Sequence, residues 1–182
     1  MSAPKPKLLL TGRPGIGKTT IVKKVVAGLR DRAGGFYTEE MRSKGKRQGF
    51  AIRTLTGEHG VLAHVSHRGP CRVGRYGVDV DRFEGIVTLA LERALERDEV
   101  IILDEIGKME LFSKQFRELA ERVLKSDKMV LAVIHQRNDP FTRRIREWPN
   151  LEEWTVTENN RDVFPSLILE RLNLDRKTRN TQ

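Results

Sequence analysis

The stretch from Leu8 to Thr20, LLLTGRPGIGKTT, constrains the fold more than any other part of the chain. Lys7 to Thr11 reads as a short buried strand, because a compact apolar run stops at glycine. Gly12, Gly15 and Gly17 then allow a turn that approaches an anion closely. Beyond it, Ile21, Val22, Val25, Val26 and Leu29 recur at helical spacing. They predict a helix of about three turns that ends near Gly34-Gly35. Gly12-x-x-x-x-Gly17-Lys18-Thr19 matches the phosphate-binding loop pattern completely. The physical reason for the spacing is that successive backbone N–H groups and the positive end of the helix converge on one anion. Lys18 is placed to reach the β- and γ-phosphate oxygens, and the Thr19 hydroxyl to ligate Mg²⁺.

The following region changes period. GFYTEEMR, GFAIRTL and VLAHVS alternate as strands, separated by SKGKRQ and TGEHG, and predict a β-meander from about Phe36 to Val65. RVGRYGVDV continues as an extended or looped piece. Helical spacing returns with Phe83, Ile86, Val87, Ala90, Leu91, Ala94 and Leu95 on one face, and Asp81 with Glu84 has the form of a capping box. EVIILDE and MVLAVIH read as buried strands on either side of a helix that Ser113 caps. A short helix over 141–146, the strand LEEWTVT and a last helix in RDVFPSLILERL complete the pattern. Strands alternating with helices give a mostly parallel α/β sheet carrying an antiparallel meander. We read residues 1–6 as a loose arm, 7–174 as one domain and 175–182 as a polar, frayed tail.

The strand VIIL ends in Asp104 and Glu105. In open α/β sheets that edge is where ligands bind. Asp104 suits a Mg²⁺ shell, held directly or through water. Glu105, the next carboxylate, is placed to orient or deprotonate a water for in-line attack. At the end of MVLAVI, His135 or Gln136 is within reach of a γ-phosphate. Asn159, Asn160 or Arg161 of TENNRD either contacts a base or caps the following helix. Arg13, Arg75 and Arg143 are alternative charge-neutralising groups.

The net charge is +9, which invites polyanions, although no basic motif interleaved with aromatics supports nucleic acid. The single cysteine, Cys71, excludes an internal disulfide. No apolar stretch approaches membrane-spanning length and the N-terminus has no signal core, so the sequence predicts a cytoplasmic protein with no membrane partner.

Taken with TGRPGIGKTT and ILDEIGKMELFS, the stretches GGFYTEEMR, GFAIRTL, YGVDVDRFE and TENNRD give the chain a further likeness. It resembles the small phosphate-loop nucleoside-triphosphatases of thermophilic microbes, related to the vertebrate cancer-related nucleoside-triphosphatase. The resemblance runs from residue 8 to about 172. It implies a RecA-like domain in which MVLAVI lies between the phosphate-loop strand and the Asp104 strand. It also implies slow, Mg²⁺-dependent hydrolysis of ATP, GTP, CTP and UTP with little base selectivity. Carried onto this sequence, the nucleotide contacts are Gly12, Arg13, Pro14, Gly15, Ile16, Gly17, Lys18, Thr19 and Thr20. They continue with Leu103, Asp104, Glu105, Ile106, Gly107 and Lys108. Thr19 and Asp104 hold the metal, and Glu105 and Lys18 are catalytic. VIHQRNDP departs from the pattern, which leaves a sensor role for His135 open. Two other readings remain: a nucleotide or nucleoside kinase, and a nucleotide-gated module binding RNA or protein.

Overall fold

The computed structural model describes residues 4–137 and 139–177. Of the proposed arm and tail, residues 1–3 and 178–182 fall outside that range, as does Asn138 in VIHQRNDP. The chain begins with strand β1 (Lys7–Thr11) and helix α1 (Lys18–Leu29). β2 (Ala33–Ser43), β3 (Lys46–Thr54), β4 (His59–His64), β5 (Arg72–Val73) and β6 (Tyr76–Val78) follow. α2 (Val80–Arg97), β7 (Val100–Ile106), α3 (Lys114–Lys125) and β8 (Met129–Ile134) come next. α4 (Pro140–Arg146), β9 (Leu151–Thr155) and α5 (Phe164–Lys177) close the sequence.

Among the described residues the strands form one sheet in the order β5-β6-β4-β3-β2-β7-β8-β1-β9. β2, β7, β8, β1 and β9 pair in parallel, whereas β3, β4, β6 and β5 extend the sheet antiparallel. β8 lies between β1 and β7, as the family resemblance implies. β2 belongs to both halves. Ala33 to Phe36 pair with Val100 to Leu103 of β7, and the whole strand then serves as one arm of the hairpin with β3.

Strand alternation sorts the apolar residues to two faces. Leu9, Phe36, Leu103 and Ile106 pack with Phe83, Leu91 and Phe116 on the side of α2 and α3. Leu8, Leu10, Ile102 and Val133 pack with Val22, Val25 and Ile168 on the side of α1 and α5. Phe36, Phe83 and Phe116 meet edge to face with centroids 5.1–5.8 Å apart, which locks β2 to both helices. The phosphate-loop helix and the carboxylate strand are thereby fixed to one rigid sheet.

Two local expectations are corrected. α1 stops at Leu29, where Arg30 takes φ 55° and donates its N–H to Val26, and Gly34 and Gly35 lie inside β2. The second long helix is capped by Asp79, whose carboxylate accepts the Arg82 N–H at 3.1 Å, so Asp81 lies within the first turn. Glu84 instead accepts the Ser113 hydroxyl at 2.6 Å, tying α2 to the start of α3. Ser113 is the cap of α3, accepting the Phe116 N–H at 2.8 Å.

Candidate active site

The loop from Gly12 to Gly17 leaves β1 and feeds α1. Gly17, at φ 108°, is the residue before the helix, and no side chain caps the helix there. The first turn of α1 carries no acidic residue either, so the positive end of the helix faces the loop uncompensated. Gly12 is needed for space: a Cβ there would stand 2.8 Å from the Val156 carbonyl oxygen. The Lys18 ammonium is nearly buried and donates to the carbonyls of Gly12 at 2.8 Å and Arg13 at 3.2 Å. Arg13, Pro14, Gly15 and Thr20 are exposed, Thr19 is half-buried, and Ile16 is anchored in the core beneath the loop.

Asp104 stands at the carboxyl end of β7 and is 1% exposed. Neither of its carboxylate oxygens has a hydrogen-bond partner among the described residues. Burial is the main influence and lifts its pKa to about 7. The Thr19 hydroxyl opposes that rise, the Glu105 charge adds to it, and the ammonium groups of Lys18 and Lys23 oppose it more weakly. Those influences place the loop and the carboxylate strand in one electrostatic environment. The β7–β8 register shifts between Leu103 and Ile106, so Asp104 and Glu105 leave the regular ladder and strand alternation no longer sets their directions. Leu103 and Ile106 are wholly buried in the core on the α2–α3 side, Gly107 is buried in the turn, and Lys108 is exposed.

His135 closes β8. Its Nε2 lies 2.6 Å from Asp139, its carbonyl accepts the Arg146 guanidinium at 2.8 Å, and its N–H reaches the Ile106 carbonyl at 3.4 Å. The imidazole is thus engaged with the residue that caps α4. After β9, the Val156 N–H bonds the Thr11 carbonyl at 2.8 Å, and Glu158 pairs with Arg13, which seats TENNRD against the phosphate loop. Asn160 builds that turn, accepting the Thr157 N–H at 2.8 Å and donating to the Thr155 carbonyl at 2.9 Å. The side chains of Asn159 and Arg161 are exposed.

Two features were not legible as parts of this region. Lys23, a turn beyond Thr19 on α1, pairs with Glu39 of β2 and lies over the Tyr37 ring, 5.2 Å from its centroid. Glu110 is 5% exposed in a short helical turn after β7, and burial followed by the Glu105 charge drives its pKa well above the usual carboxylate range. Nothing in its sequence position, between Met109 and Leu111, distinguishes it from a solvated glutamate.

Residues 7–169 match the family described as NTPase. The chain belongs to this NTPase family. A nucleoside-triphosphatase THEP1 of Thermotoga sp. (strain RQ2) is 47% identical over 170 residues, 93% of this chain and 97% of that protein. One from Aquifex aeolicus is 43% identical over 175 residues, covering 91% of this chain and 98% of that one. The crystal structure of THEP1 from Aquifex aeolicus superposes with a TM-score of 0.86 at 42% identity, over 91% of this chain and 98% of that chain. The solution structure of a human cancer-related nucleoside triphosphatase gives 0.75 at 34% identity, over 90% and 95%. Phosphate-loop NTPases generally employ a divalent cation. Asp104 suits one, because its two buried carboxylate oxygens have no hydrogen-bond partner among the described residues. Among the described residues no group of three or more His, Cys, Asp or Glu forms an all-protein metal cage. Among the same residues no helix is long and apolar enough to cross a membrane.

Proposed function

We propose that this NTPase, one domain over residues 7–174, hydrolyses the terminal phosphate of nucleoside triphosphates with Mg²⁺ and with little regard to the base. ATP, GTP, CTP and UTP are the substrates of this reading, and the cytoplasm is its setting. The observation that carries it is the buried Asp104 carboxylate, without a hydrogen-bond partner among the described residues, at the end of a strand that lies one strand away from the one leading into Lys18 and Thr19. Backbone N–H groups from Gly12 to Gly17 and the start of α1 would hold the phosphates, and Lys18 would exchange its loop carbonyls for β- and γ-oxygens. Thr19 and Asp104 would hold Mg²⁺, which when bound neutralises charge on the transferred group. Glu105 would orient the attacking water. Asn159 and Arg161, exposed on the turn beside the phosphate loop, would lie along the base without a pocket that selects it.

Phosphate release without an added acceptor tests the activity. Glu105→Gln is expected to retain nucleotide affinity while kcat falls roughly 100-fold or more. Wild-type turnover in that variant would remove Glu105 from the water step. Transfer to an acceptor is a second reading, favoured by a cleft of about 570 Å³ lined in part by Arg72, Lys108, Phe112 and Asp139. Turnover that appears only when nucleosides or monophosphates are supplied would establish it.

A further inference from the structure

Glu110 is a buried carboxylate that the proposed chemistry does not use. An apolar side chain would fill its place without the cost of desolvating a carboxyl group. What the carboxylate does instead is turn toward Gly107 at the end of β7, its Oε2 lying 3.0 Å from where a Gly107 Cβ would stand. The turn there is braced by the Leu111 N–H on the Gly107 carbonyl at 3.0 Å and by the Ser113 N–H on the Glu110 carbonyl at 3.1 Å. Ser113 in turn binds Glu84 of α2, so the turn is anchored to the scaffold and not to a mobile loop.

Gly107 supplies the second half of the arrangement. A Cβ on it would lie 2.5 Å from Oε1 and 2.9 Å from Cγ of Glu105, and 3.0 Å from Oε2 of Glu110. Its φ lies outside the left-handed region, so backbone conformation does not demand glycine there. Space does. The Glu105 carboxylate rests against a bare Cα that the Glu110 carboxyl also approaches.

We propose that Glu110 and Gly107 are positioning residues that fix the Glu105 carboxylate where it orients water. The proposal deepens the reading of Glu105 given above and rests on it. In this proposal both act through the water-orienting group. The loss on removing either is therefore in the chemical step and depends on Glu105 being present.

The test is a double-mutant cycle on the full-length protein with Mg-ATP, reading kcat, KM, nucleotide affinity and thermal unfolding. Glu110→Ala and Gly107→Ala are each expected to lower kcat on the order of tenfold to a hundredfold, with KM and affinity within about twofold. Glu110→Gln keeps the side chain's shape and an oxygen beside Gly107 and is expected to recover most of the loss. In a Glu105→Gln background both alanine changes are expected to cost almost nothing further. A folded Glu110→Ala protein with full kcat overturns the proposal. So does an equal loss in the Glu105→Gln background, which would mean a general loosening of the turn. If Glu110→Ala does not fold, Gly107→Ala decides, because its backbone accepts alanine and the added Cβ meets Glu105 most closely, at 2.5 Å from Oε1; full kcat in that variant overturns the proposal. Wild-type turnover by Glu105→Gln would defeat the reading of Glu105 and this inference with it. An inactive Glu105→Gln beside fully active alanine variants would defeat this inference only.

Discussion

Lys18 illustrates how much a single residue commits to a ligand. Its ammonium is nearly buried, yet its partners are two loop carbonyls, and among the described residues no carboxylate forms an ion pair with it. On the proposed reading phosphate oxygens would supply the missing charge, which would make exchange of partners on binding favourable. Replacing it by alanine is expected to cost roughly 1.5–3 kcal/mol of triphosphate binding, or about 10- to 100-fold in affinity. Isothermal titration with a non-hydrolysable triphosphate measures this, and hydrolysis should fall with it. Unchanged affinity would show that the ammonium does not face the phosphates. The positions of Lys18, Thr19, Asp104 and Glu105, and the roles proposed for them, are legible in the sequence because spacing around a strand end sets them. Glu110 and Lys23 are not. A Glu between Met109 and Leu111 and a Lys on an amphipathic helix read as solvated groups until tertiary contacts bury the one and pair the other with Glu39.

The elements that carry the site were mostly visible as apolar runs and helical periods, and the exceptions share a cause. Gly34-Gly35 reads as a helix stop because glycine commonly ends helices. Its actual role depends on a neighbour more than sixty positions away. Gly35, at φ 110°, lies so close to β7 that a Cβ would stand 2.1 Å from the Ile102 carbonyl oxygen. That approach lets β2 run beside β7 in parallel before it turns into the hairpin. Gly35→Ala is therefore expected to lower unfolding stability by at least about 2 kcal/mol through backbone strain and overlap. Denaturant unfolding checks this, and a change within experimental error would mean that the β2–β7 junction yields easily. The choice between Asp79 and Asp81 as helix cap is likewise tertiary. The Asp79 N–H bonds the Leu62 carbonyl at 2.9 Å, which holds that residue at the end of the sheet, before the helix starts.

Across the whole molecule, parallel pairing of β7, β8, β1 and β9 brings four chain segments to one sheet edge. With β8 between β1 and β7, the phosphate loop and the Asp104 carboxylate face each other across one strand. On the proposed reading such an edge would bind the nucleotide and the cation together, with Thr19 and Asp104 holding a cation that would offset the cost of the buried carboxylate. The thermodynamic consequence is a coupling that unfolding can read. A non-hydrolysable triphosphate at about 100 times its dissociation constant stabilises the fold by about 2.7 kcal/mol. For a chain of this size that is a rise in Tm of roughly 5–10 °C. With Mg²⁺ present the full rise is expected, whereas with a chelator in its place the rise should shrink, since the phosphates then meet Asp104 without an intervening cation. In Asp104→Asn the two conditions should converge, because removing the charge removes both the repulsion and the metal's anchor. An undiminished rise in chelator for the wild-type chain would mean that the cation contributes nothing at this edge, and Asp104 would need another reason to be buried without a partner.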